Sequence, residues 1–136
     1  MKNFTPYLFF DGNCAEALEF YTSCFGGELT LTKISDSTVK DQMPKEMQQK
    51  IIYARLTSGV IDISASDWMH QTRTPKQGNT VCLHISCETD EELQGYFDTL
   101  SVGADQTVLD PLTKQFFGTY GALTDKYGVR WMFRGE

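Results

Sequence analysis

The chain has 136 residues, of which 40% are hydrophobic, 12% aromatic and 22% charged, the composition of an ordinary globular protein that can bury one core. The net charge of −6 makes nucleic acid an unfavourable partner, because binding to phosphates requires an excess of cationic side chains. No apolar run approaches the roughly 20 residues of a membrane helix, and no signal-peptide core opens the chain. We therefore expect a cytoplasmic protein without nucleic-acid or membrane partners, whose four cysteines are reduced thiols.

The first part of the chain predicts a strand, a helix and a second strand. Residues 5–10 are aromatic and strand-like, and an Asp-Gly-Asn turn ends them. Residues 15–25 have one apolar stripe of helical spacing, and the Gly26-Gly27 pair marks the end of that helix. Alternating residues 28–34 then predict a strand. The stripe consists of Leu18, Tyr21 and Phe25.

A hairpin is predicted to complete this first half. Residues 51–57 and 60–66 read as strands, and Ser58-Gly59 forms the turn between them. The polar residues 35–50 before the hairpin are either a flap or a plain connection, and the second interpretation is favoured.

The second half repeats the same order of elements. Its helix, residues 90–100, has Leu93, Tyr96 and Leu100 at the spacing of the first stripe, and Gly103 follows it. The predicted strands are residues 80–87, a segment near 106–109, residues 121–124 and residues 129–134. The expected fold class is therefore α+β, with two βαβββ modules forming a curved sheet around a cleft that serves as the ligand site.

Several segments closely resemble the PhnB-like branch of the vicinal oxygen chelate superfamily, which includes glyoxalase I, bleomycin-resistance proteins and extradiol dioxygenases. They are PYLFFDGNCAEA at 6–17, YARL at 53–56, SASD at 64–67 and LTDKYGVRWM at 123–132. The resemblance implies a glyoxalase/bleomycin-resistance-like fold and a homodimer. We expect one domain over residues 1–136, with module one at about 1–67, a linker at 68–79 and module two at about 80–136.

The resemblance also implies where the metal enzymes of the superfamily hold their ion, on the first and last strands of each module. Met132 occupies the position of the usual glutamate, and its thioether is a poor ligand for Zn, Ni, Mn or Mg. The first expected histidine falls at Pro6 or Tyr7, and Cys82 stands at the second. We therefore expect no metal and no other cofactor.

Strand alternation predicts which side chains face the cleft. Arg134 and Ser86 are expected to face it as well as the ligand-binding candidates, and guanidinium groups there suit a small polar or anionic ligand. The candidates are Tyr7, Tyr53, Arg55, Asp62, Cys82, His84, Arg130 and Met132.

Simpler interpretations stay open for several of these residues. Arg55 and Arg130 can instead pair with Asp62 or reach solvent. His84 is more often a hydrogen-bonding pocket residue than a metal ligand, and a small buried thiol is favoured over a nucleophile for Cys82. His70, in the linker, is expected simply to meet solvent.

Two functions follow as hypotheses. The first is a metal-independent small-molecule binding protein, because the set of metal ligands is incomplete. The second is a metal-dependent lyase, isomerase or dioxygenase with an atypical site around His84 and Cys82. Relatives of this branch are sometimes labelled ubiquinone-pathway methyltransferases, but the chain lacks the glycine-rich loop that such a cofactor site needs.

Overall fold

The computed structural model describes residues 3–135, and the chain divides into two units with the boundary between Pro75 and Lys76. The boundary falls inside the predicted linker. The beginning of that linker belongs to the first unit, since Trp68 N donates to Phe10 O at 2.7 Å and Lys50 Nζ donates to Trp68 O at 3.0 Å.

The first unit is a four-stranded sheet with a helix on one face. Its elements are β1 (Tyr7–Phe10), α1 (Cys14–Phe25), β2 (Glu28–Lys33), β3 (Ile51–Thr57) and β4 (Asp62–Asp67). The strand order is β1-β4-β3-β2, in which β1 runs parallel to β4 and the other neighbours are antiparallel. Leu18 and Tyr21 of the predicted stripe are fully buried, as are Ala54 and Leu56 of β3, so α1 covers this face of the sheet.

A buried carboxylate joins the start of α1 to the sheet. Asp67 Oδ1 accepts a hydrogen bond from Cys14 N at 2.9 Å, and Asp67 Oδ2 accepts one from Ile51 N at 2.8 Å. Asn13, at the N-cap position, makes no side-chain capping bond. The first N–H groups of a helix lack partners within the helix, so Asp67 serves as a cap from a distant strand.

The connection between β2 and β3 is hydrogen-bonded to itself. Ser35 N donates to Gln48 O at 3.0 Å, and the Gln48 side-chain amide donates to Lys40 O at 2.8 Å. Met47 is buried and anchors the segment to the core. Short 3₁₀ turns occupy Ile34–Asp36, Lys40–Gln42 and Lys45–Met47.

The second unit repeats the topology of the first. Its elements are β5 (Leu83–Cys87), α2 (Asp90–Leu100), β6 (Asp110–Gln115), β7 (Gly118–Thr124) and β8 (Arg130–Gly135). The strand order is β5-β8-β7-β6, and β5 runs parallel to β8. Two βαβββ units of the same topology confirm the predicted α+β class and the repeated module.

The core of the second unit lies between α2 and β8. Leu93, Leu100, Trp131 and Phe133 are buried, and the rings of Phe97 and Phe133 meet edge to face with centroids 5.2 Å apart. The predicted stripe residue Tyr96 is only half-buried, because Phe97 takes the core position beside it.

A second buried carboxylate shapes the turn between β7 and β8. Asp125 Oδ1 accepts hydrogen bonds from Tyr127 N at 2.8 Å and Val129 N at 3.1 Å. Its other oxygen accepts one from Trp131 Nε1 at 2.8 Å, which ties the turn to the core.

Two predictions for the second unit were wrong. Residues 106–109 contain a 3₁₀ turn, Gln106–Val108, and the strand begins at Asp110. The Asp105 carboxylate accepts from Thr107 N at 3.0 Å and Thr107 Oγ1 at 2.7 Å, which favours a turn over an extended chain. The strand predicted over residues 80–87 is shorter, since β5 begins at Leu83, and Val81 lies outside it and is 78% exposed.

Candidate functional site on the open sheet faces

Each helix covers one face of its sheet, and the opposite face, here called the open face, displays the alternate residues of every strand. The open face of the first unit includes Tyr7, Tyr53, Arg55 and Asp62. The open face of the second unit includes His84, Arg130 and Met132. Cys82 immediately precedes β5.

Aromatic rings line part of the open face of the first unit. Tyr7 and Tyr53 are 44% and 41% exposed. The rings of Tyr7 and Phe9 have centroids 4.9 Å apart, and the Phe9 ring meets Trp68 edge to face at 5.5 Å. His70 is exposed as expected, but its ring also contacts Trp68 at 5.2 Å. An apolar edge of this kind suits the hydrocarbon part of a ligand.

Arg55 and Asp62 neutralise each other on the same face. Arg55 Nε donates to Asp62 Oδ1 at 3.1 Å, and its terminal Nη2 donates to Oδ2 at 3.0 Å. The hydrogen bond from Arg55 holds the pKa of the Asp62 carboxyl below its ordinary value, and the bond to Asp62 raises the pKa of Arg55. Arg55 was considered either as a ligand-binding residue or as the partner of Asp62, and the structure shows the pair with Asp62.

His84 and Met132 lie side by side on the second open face. The register of the parallel β5 and β8 strands pairs these two residues directly. Ser86 Oγ lies 3.5 Å from His84 Nε2, and the His84 side chain is exposed. Met132, at the position of the expected glutamate, offers this histidine no carboxylate with which to share a metal ion.

In the part of the chain that the structure describes, neither the thiols nor the acidic groups assemble into a metal centre. Within residues 3–135, no group of three or more His, Cys, Asp and Glu side chains is placed to hold an ion. Cys82 is exposed, so the expectation that it would be buried was wrong. Burial raises the pKa of Cys14 to about 12, and burial with a bond to Glu92 raises that of Cys87 to about 11, so both stay protonated and unreactive near neutral pH.

Arg130 is held by its own unit. Its guanidinium donates to Val108 O at 2.6 Å and to Thr124 Oγ1 at 3.3 Å, and it lies 3.7 Å from Asp110 Oδ2. The side chain is only 15% exposed. These contacts make Arg130 a structural link from β8 to the 3₁₀ turn and to β6.

Arg134 differs from the other two arginines of the open faces. Its Cζ lies 4.6 Å from the centroid of the Phe117 ring. In the described part of the chain, no carboxylate lies within ion-pair distance of it. The sequence pattern predicted that Arg134 faces inward. It did not predict that Phe117 and Tyr120 are its neighbours, because the strand that contains Tyr120 was predicted to begin only at residue 121.

The turn where many nucleotide cofactors bind is closed in the first unit. Such cofactors use the free N–H groups at the start of the first helix after a strand. Here Asp67 already accepts a hydrogen bond from Cys14 N, at the start of α1. A carboxylate at this position also repels an anion, so the start of α1 does not fit a phosphate-bearing nucleotide cofactor.

Comparison with known proteins identifies the family. A family model described as 3-demethylubiquinone-9 3-methyltransferase matches residues 2–133. Protein YjdN of Escherichia coli (strain K12) is 32% identical over 142 residues, which cover 94% of this chain and 91% of YjdN.

Solved structures agree with this assignment. PA1353 from Pseudomonas aeruginosa has 29% identity and a TM-score of 0.86, over 100% of this chain and 98% of PA1353. A PhnB protein from Bacillus cereus has 25% identity and a TM-score of 0.73, over 99% of this chain and 100% of its own.

More distant structures share the fold alone. The fosfomycin resistance protein FosX from Mesorhizobium loti has 8% identity and a TM-score of 0.60, over 100% of this chain and 93% of FosX.

With two βαβββ units in the structure and the family model matched from residue 2 to residue 133, the chain belongs to the 3-demethylubiquinone-9 3-methyltransferase family, the PhnB-like branch of the vicinal oxygen chelate superfamily.

Proposed function

We propose that this protein binds a small polar or anionic molecule and needs no metal ion to do so. The observation that carries the proposal is the pairing of His84 with Met132. A metal site needs further charged or imidazole ligands next to the histidine, and the neighbouring strand supplies a thioether. The other open-face groups include Tyr7, Tyr53 and Arg134, and side chains of these kinds recognise small polar molecules.

The description of the family as a methyltransferase does not define the activity of this chain. A shared fold hosts many functions, and the chain lacks the glycine-rich loop that a methyl-donor cofactor site needs. Binding by side chains on the open faces therefore agrees better with the geometry than methyl transfer does.

A thermal-shift screen of protein purified without a histidine tag and without chelators tests the proposal. Small carboxylates, phosphonates and neutral metabolites are screened first, and then Zn, Ni, Mn and Fe(II). We expect organic ligands to raise the melting temperature of the metal-free protein. Stoichiometric metal binding with a large thermal shift, abolished in His84→Ala, would overturn the proposal.

The alternative function is a metal-dependent lyase, isomerase or dioxygenase. It is favoured by one observation, namely that His84 and Cys82 are both exposed and lie two positions apart in the sequence. Metal analysis of the purified protein separates the two functions, because a consistently metal-free preparation contradicts the enzyme.

The proposal also includes the state of the protein. We propose a homodimer in the cytoplasm, in keeping with the family and with the four free cysteines. Neither of the two helices in residues 3–135 has the length and apolar character to cross a membrane. Light scattering coupled to size-exclusion chromatography tests the dimer, and fractionation of the source cells tests the location.

A further inference from the structure

We propose that Arg134 binds the anionic group of the ligand, and that this group is the carboxylate or phosphonate of a small organic molecule. The site lies on the open face of the second unit, where the guanidinium lies over the Phe117 ring and Ser86 and Tyr120 are the register neighbours of Arg134 on the two adjacent strands. The inference rests on the proposed function, because it names the chemistry of the same ligand.

The state of the three open-face arginines selects Arg134. Arg55 already has two hydrogen bonds to Asp62. Arg130 bonds to Val108 O and lies near a carboxylate of β6. Of the residues that the structure describes, none gives the guanidinium of Arg134 an ion pair or a hydrogen bond, so its charge is available to a ligand.

The Phe117 ring orients this guanidinium. An aromatic ring attracts a cation at its face, and at 4.6 Å the contact is well within the range of cation–π attraction. The ring offers no hydrogen-bond acceptor in its plane, so the N–H groups on the edge of Arg134 stay free. A guanidinium held in this way can donate two parallel hydrogen bonds to the oxygens of one anion.

The strand register brings hydroxyl groups to both sides of Arg134. Ser86 on β5 and Tyr120 on β7 are its direct partners across β8. His84 adds a ring nitrogen 3.5 Å from Ser86 Oγ. Hydroxyl and imidazole groups supply further donors to the remaining oxygens of an anion, and none of them adds negative charge.

The aromatic residues at the β6–β7 hairpin favour an organic anion over a free inorganic ion. Phe116 is fully exposed and its ring lies 5.1 Å from that of Phe117, which in turn is 6.2 Å from Tyr120. These rings form an apolar wall beside the cation. A ligand with a hydrocarbon part gains from contact with this wall, whereas inorganic phosphate gains nothing from it.

Calorimetric titrations with benzoate, phenylphosphonate and inorganic phosphate test the inference. We expect the wild type to bind one or both organic anions, and inorganic phosphate at least about tenfold more weakly. Arg134→Gln should weaken binding of the organic anions at least about tenfold, because the charged hydrogen bonds are lost. Arg134→Lys keeps the charge but not the two parallel donors, so it should give an intermediate loss.

Lys114→Gln is the matched control. It removes one positive charge from the same unit, at an exposed residue that pairs with Asp90. Binding should be unchanged in this variant. Melting temperatures of Arg134→Gln and Lys114→Gln equal to that of the wild type would exclude a folding defect.

Each outcome of the titrations distinguishes the inference from the proposed function. Equal affinity of the wild type and Arg134→Gln for an organic anion overturns the inference, as does a wild type that binds neutral molecules from the screen but none of the three anions. In both cases the proposed function stands. A wild type that binds no small molecule at all overturns both.

Discussion

The two units share a strand order and an element order, yet they begin their helices in different ways. In the first unit, the last residue of β4, Asp67, crosses to α1 and accepts the Cys14 N–H. In the second, the last residue of β8 is Gly135, and α2 is capped locally by Thr89, whose side chain accepts from Glu92 N at 3.3 Å. One topology is therefore compatible with a long-range cap or a local one.

The open faces of the two units also differ, in how their charges are paired. The first unit places Arg55 beside its own carboxylate, Asp62, and the pair satisfies itself. The second unit places Arg134 over a ring, with no carboxylate beside it among residues 3–135. Two units of the same fold can thus differ in function. On the open face of the first unit the cation and the carboxylate neutralise each other, whereas on that of the second unit Arg134 is available to a ligand.

Asp67→Ala should have the largest effect on stability. The change leaves the buried N–H groups of Cys14 and Ile51 without acceptors, and each such loss costs about 1–3 kcal/mol. We expect the free energy of unfolding to fall by about 4 kcal/mol, measured by urea denaturation. Asp67→Asn, which keeps one acceptor oxygen, should lose less. A loss below about 1 kcal/mol in the alanine variant would contradict the role of Asp67 as a cap.

The glycines after the two helices should respond unequally to alanine. At Gly27, with φ of 100°, a Cβ would clash with Thr57 O and lie 2.7 Å from Ser58 Cβ. At Gly103, with φ of 75°, it would meet only the flexible side chain of Lys126 at 3.2 Å. We expect losses of about 3 kcal/mol for Gly27→Ala and about 1 kcal/mol for Gly103→Ala in the same denaturation assay. Equal losses would mean that the backbone near Thr57 moves aside.

Alanine substitutions at the residue before each helix test the difference in capping directly. Thr89→Ala should destabilise the protein by about 1 kcal/mol, because the Glu92 N–H loses its acceptor. Asn13→Ala should cost less than about 0.5 kcal/mol, since the Asn13 side chain makes no capping bond. The difference in urea midpoint between the two variants is the measurement. Asn13→Ala would be the more damaging variant if α1 were capped locally after all.

The loss of the Arg55–Asp62 pair at acidic pH should have the smallest of these effects on stability. The bond from Arg55 lowers the pKa of Asp62, so the stability that this pair adds is present above the ordinary value of 3.8 and is lost as pH falls through the lower folded value. The gain is small, because the Arg55 and Asp62 side chains are 47% and 34% exposed and solvent screens the pair. Asp62→Asn should therefore show a shallower loss of melting temperature below pH 4 than the wild type. Parallel curves for the two proteins would show that the ion pair adds no stability.

The sequence predicted best what depends on near neighbours. Leu18 and Tyr21 were identified as core residues because helical spacing is a local property, and both are fully buried. The alternation of β3 likewise indicated that Tyr53 and Arg55 share a face, since neighbouring residues of a strand point to opposite sides.

What the sequence did not predict depends on distant partners. Asp67 and Cys14 are 53 positions apart, and no local pattern marks the carboxylate as a helix cap. Arg130 is 22 positions from the carbonyl of Val108, in a turn that was mistaken for a strand. The availability of Arg134 is harder still to predict, since it depends on which carboxylates fold away from it.

The position of β8 inside its sheet has a consequence for how the chain folds during synthesis. The first sheet has all its strands once residue 67 has been made, whereas the second lacks an inner strand until residues 130–135 emerge. Domains tend to fold in order from the N-terminus, so the first unit can form while the second is still incomplete. Until β8 arrives, β5 has no partner in its sheet and β7 exposes one edge, and unpaired strand edges of this kind favour aggregation.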